Sequence, residues 1–434
     1  MAAVDMHGKK LLVLGGIRLA CDIVERAHKM GVHVAVADYY ENSPAKARAD
    51  EAVLIDATDV DALVDYCKRN SIDGVTTGFV DILMPVCFEV CKRLGLPYYA
   101  TEKMISMSTN KIDFKKTCLE HGVPVPCTHY LGSDISEALE AGFDYPVFVK
   151  PLDASGSRGA GVCRDEQELR IQFADAMSYS ASGKAMVEDY VQGREFLLDY
   201  VGVDGEFRLL SMFDRHMCDD RGSAVNYSNA SIAPSAAIDR YYGQVDGKVT
   251  KMFKDLGFTD GLIFLQGHVH GDEITFYEMG CRLGGSFYYL EDACIGLNPV
   301  DMVVRYALSG KMLDSIEAVP PRAARFERRA LVCNYLLKGE GETIARIDGA
   351  EEVRALDSFV GMVQQRGVGC RFGADRTVDK PAACIYLASD SLDGLLSDFS
   401  RVNELFRVSN EEGKSLLMKK LDAEELRRRL EERP

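Results

Sequence analysis

The chain has 434 residues, a net charge of −16 and 13 cysteines. The length suffices for about three domains of ordinary size. The acidic balance argues against a nucleic-acid partner, because binding to phosphate backbones needs a basic face. The cysteines occur singly, without C-x-x-C pairs, which is typical of reduced thiols in a cytoplasmic protein. No apolar stretch approaches the length of a transmembrane span, so we expect no membrane partner.

The first hundred residues alternate between strand and helix patterns. Strands are predicted over residues 9–16, 32–38, 52–55 and 72–77, with helical stretches at 17–30 and 60–70. This order predicts a doubly wound parallel sheet. The loop after the fourth strand contains Phe79 and Asp81. It lies at the carboxyl end of the sheet, where ligands gather, so these residues either contact substrate or pack against the next domain.

Two glycines at the end of the first strand invite a nicotinamide-cofactor interpretation. Gly15 and Gly16 precede the first helix, and Asp38 ends the next strand. The G-x-G-x-x-G motif is incomplete, however, because Ile17 and Ala20 stand where glycines are needed. A partial motif of this kind is a weak indication.

The next segments present groups suited to phosphate. Lys111 opens a helix-like stretch, and Lys150 ends a short β-type run. The glycine-rich segment 153–162 follows at once, so its backbone is free to wrap phosphate oxygens, and Arg158 adds a positive charge. Segment 186–196 then predicts a strand that ends near Glu188 and a connector that leads to Glu195.

Residues 261–285 predict a β-hairpin that carries oxygen ligands on both strands. Gln266 lies on the first strand and Glu278 on the second, and Arg282 follows just beyond. Two adjacent strands can aim two oxygen ligands at one point. With a fixed guanidinium nearby, this geometry suits magnesium bound to a triphosphate.

In this order, the motifs resemble the ATP-grasp superfamily over roughly residues 1–320. The ending EMGCRLGG is closer to its dipeptide-ligase-like and carbamoyl-phosphate-synthase-like branches, so the resemblance is to the carboxylate–amine ligases. The resemblance implies an α/β and α+β multidomain fold. A Rossmann-like pre-ATP-grasp domain without a dinucleotide is expected at 1–105. The ATP-grasp domain is expected at 106–315, with a lid subdomain at about 145–200, and a small α+β domain with a terminal helix at 316–434.

The resemblance also implies a role for each motif residue. The residues expected to act catalytically are Arg282, Lys150 and Arg158. Those expected to contact the nucleotide are Lys111, Lys150, Ser155, Gly156, Ser157, Gly159, Glu188, Val191 and Glu195. In this scheme Glu188 lies at the adenine edge, Val191 offers a backbone N–H, and Glu195 binds the ribose. Gln266 and Glu278 are the expected metal ligands.

Two positions depart from the family pattern. Gln266 stands where most members have Glu or Asp, and Gly280 stands where many have Asn. Magnesium keeps several waters and needs few protein carboxylates, so binding can survive both changes. They also leave two alternatives open, a weaker metal affinity or a second ion placed differently.

The implied function is an ATP-dependent carboxylate–amine ligase that uses ATP and Mg²⁺ (or Mn²⁺) and acts through an acyl phosphate. Its partners would be a small-molecule carboxylate and an amine, and the resemblance allows a homodimer. One alternative is an enzyme that phosphorylates bicarbonate or carbamate, as in carbamoyl-phosphate synthase or biotin carboxylase. Another is a nucleotide-sensing protein that has the fold but little turnover.

Several further residues are open to two interpretations. Arg215, at the end of predicted strands over 196–216, and Arg221 and Asn226, on the polar stretch 218–235 before a predicted helix at 239–256, are candidates for substrate contact. The alternative is that this stretch is a disordered surface loop. His268 alternates with a second histidine on one strand face; without a third ligand at useful spacing, both are interpreted as exposed strand residues. Cys281 lies inside the arginine motif, but no histidine is placed to activate it, so we do not expect a nucleophile.

Overall fold

The computed structural model describes residues 5–153, 158–217, 228–338, 341–372 and 381–431. Both parallel and antiparallel sheets are present with helices packed on them, which confirms the predicted α/β and α+β multidomain class. No helix within these ranges is long and apolar enough to cross a membrane.

The N-terminal part folds as a parallel sheet with helices on both faces. Its elements are β1 (Lys10–Leu14), α1 (Ala20–Lys29), β2 (His33–Ala37), β3 (Glu51–Val53), α2 (Val60–Asn70), β4 (Gly74–Thr76) and α3 (Met84–Leu94). The strands lie in the order β3-β2-β1-β4. Leu11 and Val13 pack into one buried cluster and Leu12 and Leu14 into another. Both faces of β1 are therefore covered, which explains its continuous apolar run.

A small antiparallel sheet follows, after two linking helices. Its elements are α4 (Glu102–Thr109), α5 (Lys111–Glu120), β5 (Thr128–Gly132), α6 (Ile135–Glu140), β6 (Val147–Pro151), β7 (Gly161–Cys163), α7 (Glu166–Tyr179) and β8 (Ala185–Asp189). The strand order is β5-β8-β6-β7. α6 and α7 share a buried core with the sheet, in which Leu169 and Phe173 of α7 pack on Val147 and Val149 of β6.

The rest of the chain forms the largest sheet, a small two-stranded ladder and the helices around them. Its first elements are β9 (Arg194–Val203), β10 (Glu206–Met217), β11 (Ser228–Ala233), α8 (Ile238–Gln244), α9 (Asp246–Asp255), β12 (Gly261–His270), β13 (Glu273–Gly280), α10 (Tyr288–Ile295) and α11 (Pro299–Ser309). Its later elements are β14 (Arg329–Leu336), β15 (Arg346–Asp348), α12 (Ala350–Arg354), β16 (Phe359–Gln364), β17 (Pro381–Ser389), α13 (Leu392–Leu405), β18 (Arg407–Ser409) and α14 (Ala423–Glu431). β15 and β18 form a separate small ladder.

The strands on either side of residue 315 belong to one antiparallel sheet. Their order is β13-β12-β9-β10-β11-β14-β17-β16, and β11 pairs directly with β14. The predicted boundary between 315 and 316 therefore falls between strands of a continuous sheet. The three predicted domain ranges stay a prediction.

The predicted helix at 239–256 is two helices, α8 and α9, that meet at Val245. Gly243 and the β-branched Val245 have low helix propensity, and Val245 leaves the helical region with φ −125°. The predicted hairpin at 261–285 is confirmed as β12 and β13.

Candidate active site

Two lysines and one glutamate form a buried ion-pair cluster beside the cleft. Glu188 lies opposite Phe148 in the β6–β8 register, so Lys150, two residues further on, is its diagonal neighbour on the same face. The Lys150 Nζ lies 2.5 Å from Glu188 Oε1, and Lys115 Nζ lies 2.6 Å from Oε2. Burial opposes ionisation of Glu188, but the two ammonium groups outweigh it and hold its pKa below the usual range. Its predicted place at the adenine edge stays a prediction.

Lys115 was not predicted from the sequence. It lies on α5, four residues after Lys111, so both side chains project from the same helix face. Its amine also donates to Thr128 Oγ1 at 2.7 Å, and the side chain is buried. The i, i+4 spacing from Lys111 is the signal that could have identified it.

Replacing Lys115 by methionine is expected to destabilise the protein by about 3 kcal/mol. The substitution leaves Glu188 buried with one ammonium instead of two, and breaking a buried pair costs roughly 3–5 kcal/mol. Urea denaturation measures the change. Lys92→Met is the matched control, since Lys92 and Glu102 pair at the surface and should cost under about 1 kcal/mol. Equal losses of stability in the two variants would show that the buried cluster stabilises the fold no more than a surface ion pair does.

Lys111 brings a further positive charge into the cleft. It begins α5, and its amine donates to the carbonyl of Leu152, just after β6, at 3.2 Å. Burial lowers the pKa of Lys111 and the neighbouring Lys150 adds to this, while Glu278 opposes both. Lys111, Lys150 and Glu278 are therefore close enough to act on one another electrostatically.

The predicted glycine-rich lid is described only at its end. Ser155, Gly156 and Ser157 lie outside the described residues, while Arg158 is exposed and Gly159 is buried. Gly159 has φ +66°, and a Cβ there would lie 2.8 Å from the Tyr179 ring of α7. Only glycine fits where this loop returns to the helix.

Glu195 lies in a hydrogen-bonded network that reaches Gln266 on the β12–β13 hairpin. Arg215 pairs with the Glu195 carboxylate at 2.7 Å, and the Tyr277 hydroxyl donates to it as well. The same hydroxyl lies 3.1 Å from Gln266 Oε1. Arg215, a candidate for substrate contact, is thus positioned on Glu195. Val191 is half-buried in the connector between β8 and β9, and Arg221 and Asn226 lie outside the described residues.

His268 is not the exposed strand residue that the sequence suggested. It lies opposite Glu195 in the β12–β9 register, half-buried, with its ring 5.0 Å from that of Tyr277. Its Nδ1 is buried and has no hydrogen-bond partner in the described part of the chain. Burial lowers the pKa of His268, which keeps the ring neutral. His270 is exposed, as expected.

The two predicted metal ligands face each other across the hairpin. Gln266 and Glu278 are directly paired in the β12–β13 register. Glu278 is exposed to the cleft, and within the described ranges its carboxylate accepts no hydrogen bond and forms no ion pair. Desolvation by the surrounding protein raises its pKa, and Lys111 and Arg282 oppose that rise. A free carboxylate beside an amide oxygen fits a magnesium ion that takes its remaining ligands from phosphate and water.

The missing third ligand at Gly280 has a steric cause. A Cβ on Gly280 would lie 2.0–2.3 Å from ring atoms of Phe264, so no side chain fits there unless the ring moves. The same ring lies 4.8 Å from the Arg282 guanidinium, a cation–π distance. Phe264 therefore occupies the space of the absent ligand and supports the arginine.

Arg282 is held by a residue of the N-terminal sheet. Its Nε and Nη2 donate to the two carboxylate oxygens of Asp81 at 2.5 and 2.7 Å, and its Nη1 donates to the carbonyl of Leu283. A bidentate pair fixes both the position and the plane of the guanidinium. Asp81, a candidate for substrate contact, thus positions Arg282. Cys281 is buried, and burial raises the pKa of its thiol to about 12, which disfavours the reactive thiolate.

Two buried acids line a small cavity beyond Arg282. Asp199 on β9 and Glu291 on α10 face it together with Gly284 and Gly285. Ser211 Oγ donates to Glu291 at 2.6 Å and lies 3.5 Å from Asp199. Burial raises the pKa of Asp199 to about 7 and that of Glu291 well above its usual value. An aspartate inside the apolar run FLLDYV was the sequence signal for this pair.

The Asp199 pKa predicts a loss of stability with rising pH. Because its folded pKa exceeds its unfolded one, the folded state binds more protons, so stability falls from about pH 4 to about pH 7. Asp199→Asn is expected to flatten this fall and to be more stable than the wild type at alkaline pH by at least about 1.4 kcal/mol. Urea titrations at several pH values measure it. The exposed Asp272→Asn is the control, and an unchanged pH profile in Asp199→Asn would contradict the prediction.

The arrangement brings together Lys111 and Lys150, the paired Gln266 and Glu278 of the hairpin and a fixed arginine, and comparisons with known proteins agree with the predicted family resemblance. Residues 110–315 match the family model of the carbamoyl-phosphate synthase L chain ATP-binding domain. Residues 11–84 match the PylC-like N-terminal domain. A formate-dependent phosphoribosylglycinamide formyltransferase of Sulfurisphaera tokodaii is 26% identical over 323 residues, which are 73% of this chain and 80% of the relative.

Solved structures share the fold over nearly the whole chain. The L-amino acid ligase from Bacillus licheniformis has a TM-score of 0.76 at 19% identity and covers 93% of this chain and 99% of its own. The biotin carboxylase domain of Hydrogenobacter thermophilus 2-oxoglutarate carboxylase, solved with MgADP, ADP and bicarbonate, has a TM-score of 0.75 at 18% identity and covers 94% and 91%. These matches confirm the predicted resemblance to ATP-grasp ligases, and residues 110–315 match an ATP-binding domain of this kind.

Proposed function

We propose that this protein is an ATP-dependent carboxylate–amine ligase that forms an acyl phosphate and releases ADP and phosphate. The observation that carries the proposal is the hairpin site, in which Glu278 has no hydrogen bond or ion pair among the described residues and interacts electrostatically with Lys111 and Arg282. A carboxylate left without a partner in a cleft of positive charge is suited to a cation and its bound phosphates.

Different side chains of the protein would bind the phosphates, the metal ion and the ribose of the nucleotide. Lys111 and Lys150 would neutralise charge on the ATP phosphates, as would the lid that ends at Arg158 and Gly159. Glu278 and Gln266 would hold Mg²⁺ (or Mn²⁺), which when bound supplies charge neutralisation at the phosphates. Glu195 would accept from the ribose hydroxyls, held in place by Arg215.

The reaction has two steps. A carboxylate oxygen of the acid attacks the γ-phosphorus of ATP, and the bond to the bridging oxygen breaks with release of ADP. The amine then attacks the carbonyl carbon of the acyl phosphate; phosphate leaves with the electron pair of the C–O bond, and the amine loses a proton. Arg282, fixed by Asp81, would stabilise the negative oxygen that develops in this second step.

A second candidate acid is bicarbonate. It is favoured by the similarity to the 2-oxoglutarate carboxylase domain, whose structure contains bicarbonate together with MgADP. A nucleotide sensor with little turnover is a third candidate. With Gln266 and Gly280 at two of the three expected ligand positions, Glu278 is the single carboxylate among the three.

A screen for ADP release separates these functions. The enzyme is incubated with Mg²⁺ATP and pairs of carboxylic acids and amines, with and without bicarbonate. We expect release that needs both an acid and an amine. Release stimulated by bicarbonate alone would favour the one-carbon reaction, and ATP binding without stimulated release would favour the sensor.

A further inference from the structure

Exposed apolar side chains are concentrated at one edge of the N-terminal sheet. Each of the strands β1–β4 is followed, beyond its carboxyl end, by a large apolar side chain that is 41–73% exposed. These are Ile17 after β1, Tyr39 and Tyr40 after β2, Leu54 after β3 and Ile82 after β4. Single exposed apolar residues are ordinary on a protein surface. The same feature after every strand of one sheet needs an explanation.

This apolar edge begins at the active site. Asp81, which holds Arg282, directly precedes Ile82. Its neighbours in the chain pack on the end of β1, because a Cβ on Gly15 would lie 3.0 Å from Leu83 and 3.5 Å from Val80. The loop after β4 therefore connects the guanidinium to the end of β1.

Backbone contacts continue the apolar edge away from Arg282. Gly16 N donates to Asp38 Oδ2 at 2.6 Å, which joins the ends of β1 and β2. Asp38 N donates in turn to the carbonyl of Val53 at the end of β3. Neighbouring strands lie about 4.8 Å apart, so the edge extends about 14 Å from β4 to β3.

The two tyrosines are held by a rigid loop. The buried Lys46 donates to the carbonyls of Asp38 and Tyr40, both at 2.6 Å, and Tyr40 N donates to Asp38 Oδ1 at 2.8 Å. The rings of Tyr39 and Tyr40 lie 4.1 Å apart and are 59% and 61% exposed. A fixed pair of exposed rings is a preorganised apolar surface, which binds a ligand without first being ordered.

We propose that this edge binds the apolar or aromatic tail of the carboxylic acid whose carboxyl group lies at Arg282. The inference rests on the proposed ligase function and adds the class of acid. Ligands of open α/β sheets bind at the carboxyl ends of the strands. A stable protein interface needs about 800 Å² and 20–30 residues per partner. The five large side chains of the edge suit a small molecule better than a second copy of the chain.

The test measures how turnover depends on the length of the tail. Acids from acetate through butyrate and hexanoate to 3-phenylpropanoate are supplied with Mg²⁺ATP, and hydroxylamine traps the acyl phosphate as a hydroxamate. We expect kcat/KM to rise by about fourfold for each methylene that becomes buried. The double variant Tyr39→Ser/Tyr40→Ser should raise the KM for 3-phenylpropanoate at least tenfold while the KM values for acetate and ATP stay unchanged.

Ile171→Ser is the matched control, since Ile171 is 66% exposed on α7, away from the edge, and should leave all three constants unchanged.

Equal kcat/KM for short and long acids would overturn the inference and leave the ligase function standing. An effect of tail length that persists in the double variant would also overturn it. A wild-type dimer that the double variant dissociates, without a change in KM, would assign the edge to self-association instead. If no acid gives hydroxamate, the proposed ligase function fails and the inference fails with it.

Discussion

Arg282→Ala is expected to lower turnover by about a hundredfold or more while ATP affinity falls much less. The guanidinium is fixed by Asp81 and supported by Phe264. Such a preorganised donor acts mainly on charge that develops in the transition state. Losing one oxyanion donor typically costs a factor of about 10²–10³ in turnover.

Two measurements on the same variant test this role. ADP release with an acid and amine found by the screen gives turnover, and calorimetry gives ATP affinity. Arg354→Ala is the control, because Arg354 pairs with Glu351 at the surface far along the chain. Asp81→Asn, which keeps the arginine but weakens its bidentate partner, should give an intermediate loss. Equal losses of turnover and ATP affinity in Arg282→Ala would reduce the arginine to a nucleotide contact.

Glu278→Ala is expected to lower turnover by about a hundredfold or more with the fold intact. It removes the only carboxylate that we place on the metal, and a metal ion contributes several kcal/mol of charge stabilisation in such reactions. Gln266→Glu should retain turnover and bind Mg²⁺ more tightly, because it restores a second carboxylate directly across the hairpin.

Turnover measured against Mg²⁺ concentration tests both variants. Glu273→Ala, an exposed change on the same strand, is the control and should behave as the wild type. Near-normal turnover of Glu278→Ala at low millimolar Mg²⁺ would place the metal site elsewhere.

Local patterns predicted much of this fold. The apolar run Leu11–Leu14 could be assigned to a doubly wound sheet because a strand covered on both faces is continuously apolar. The hairpin could be assigned because Gln266 and Glu278 flank a turn at a spacing that pairs them. In both cases the interacting residues are close in sequence or share one periodic element.

Partners that are distant in sequence could not be predicted. Asp81 and Arg282 lie 201 residues apart, and Lys115 and Glu188 lie 73 apart. A pattern of burial shows that a charge needs a partner, but it does not show which one. Phe264 illustrates the same limit, because only the fold shows that its ring takes the space beside Gly280.

The central claim is that the acid is activated as an acyl phosphate, and transfer of oxygen tests it most directly. A carboxylic acid that supports ADP release is labelled with ¹⁸O in its carboxyl group and turned over with Mg²⁺ATP and the amine. The released phosphate is then analysed by mass spectrometry. If the carboxylate attacks the γ-phosphorus, one ¹⁸O from the acid appears in each phosphate formed. Phosphate that carries no label above background would contradict the proposed mechanism.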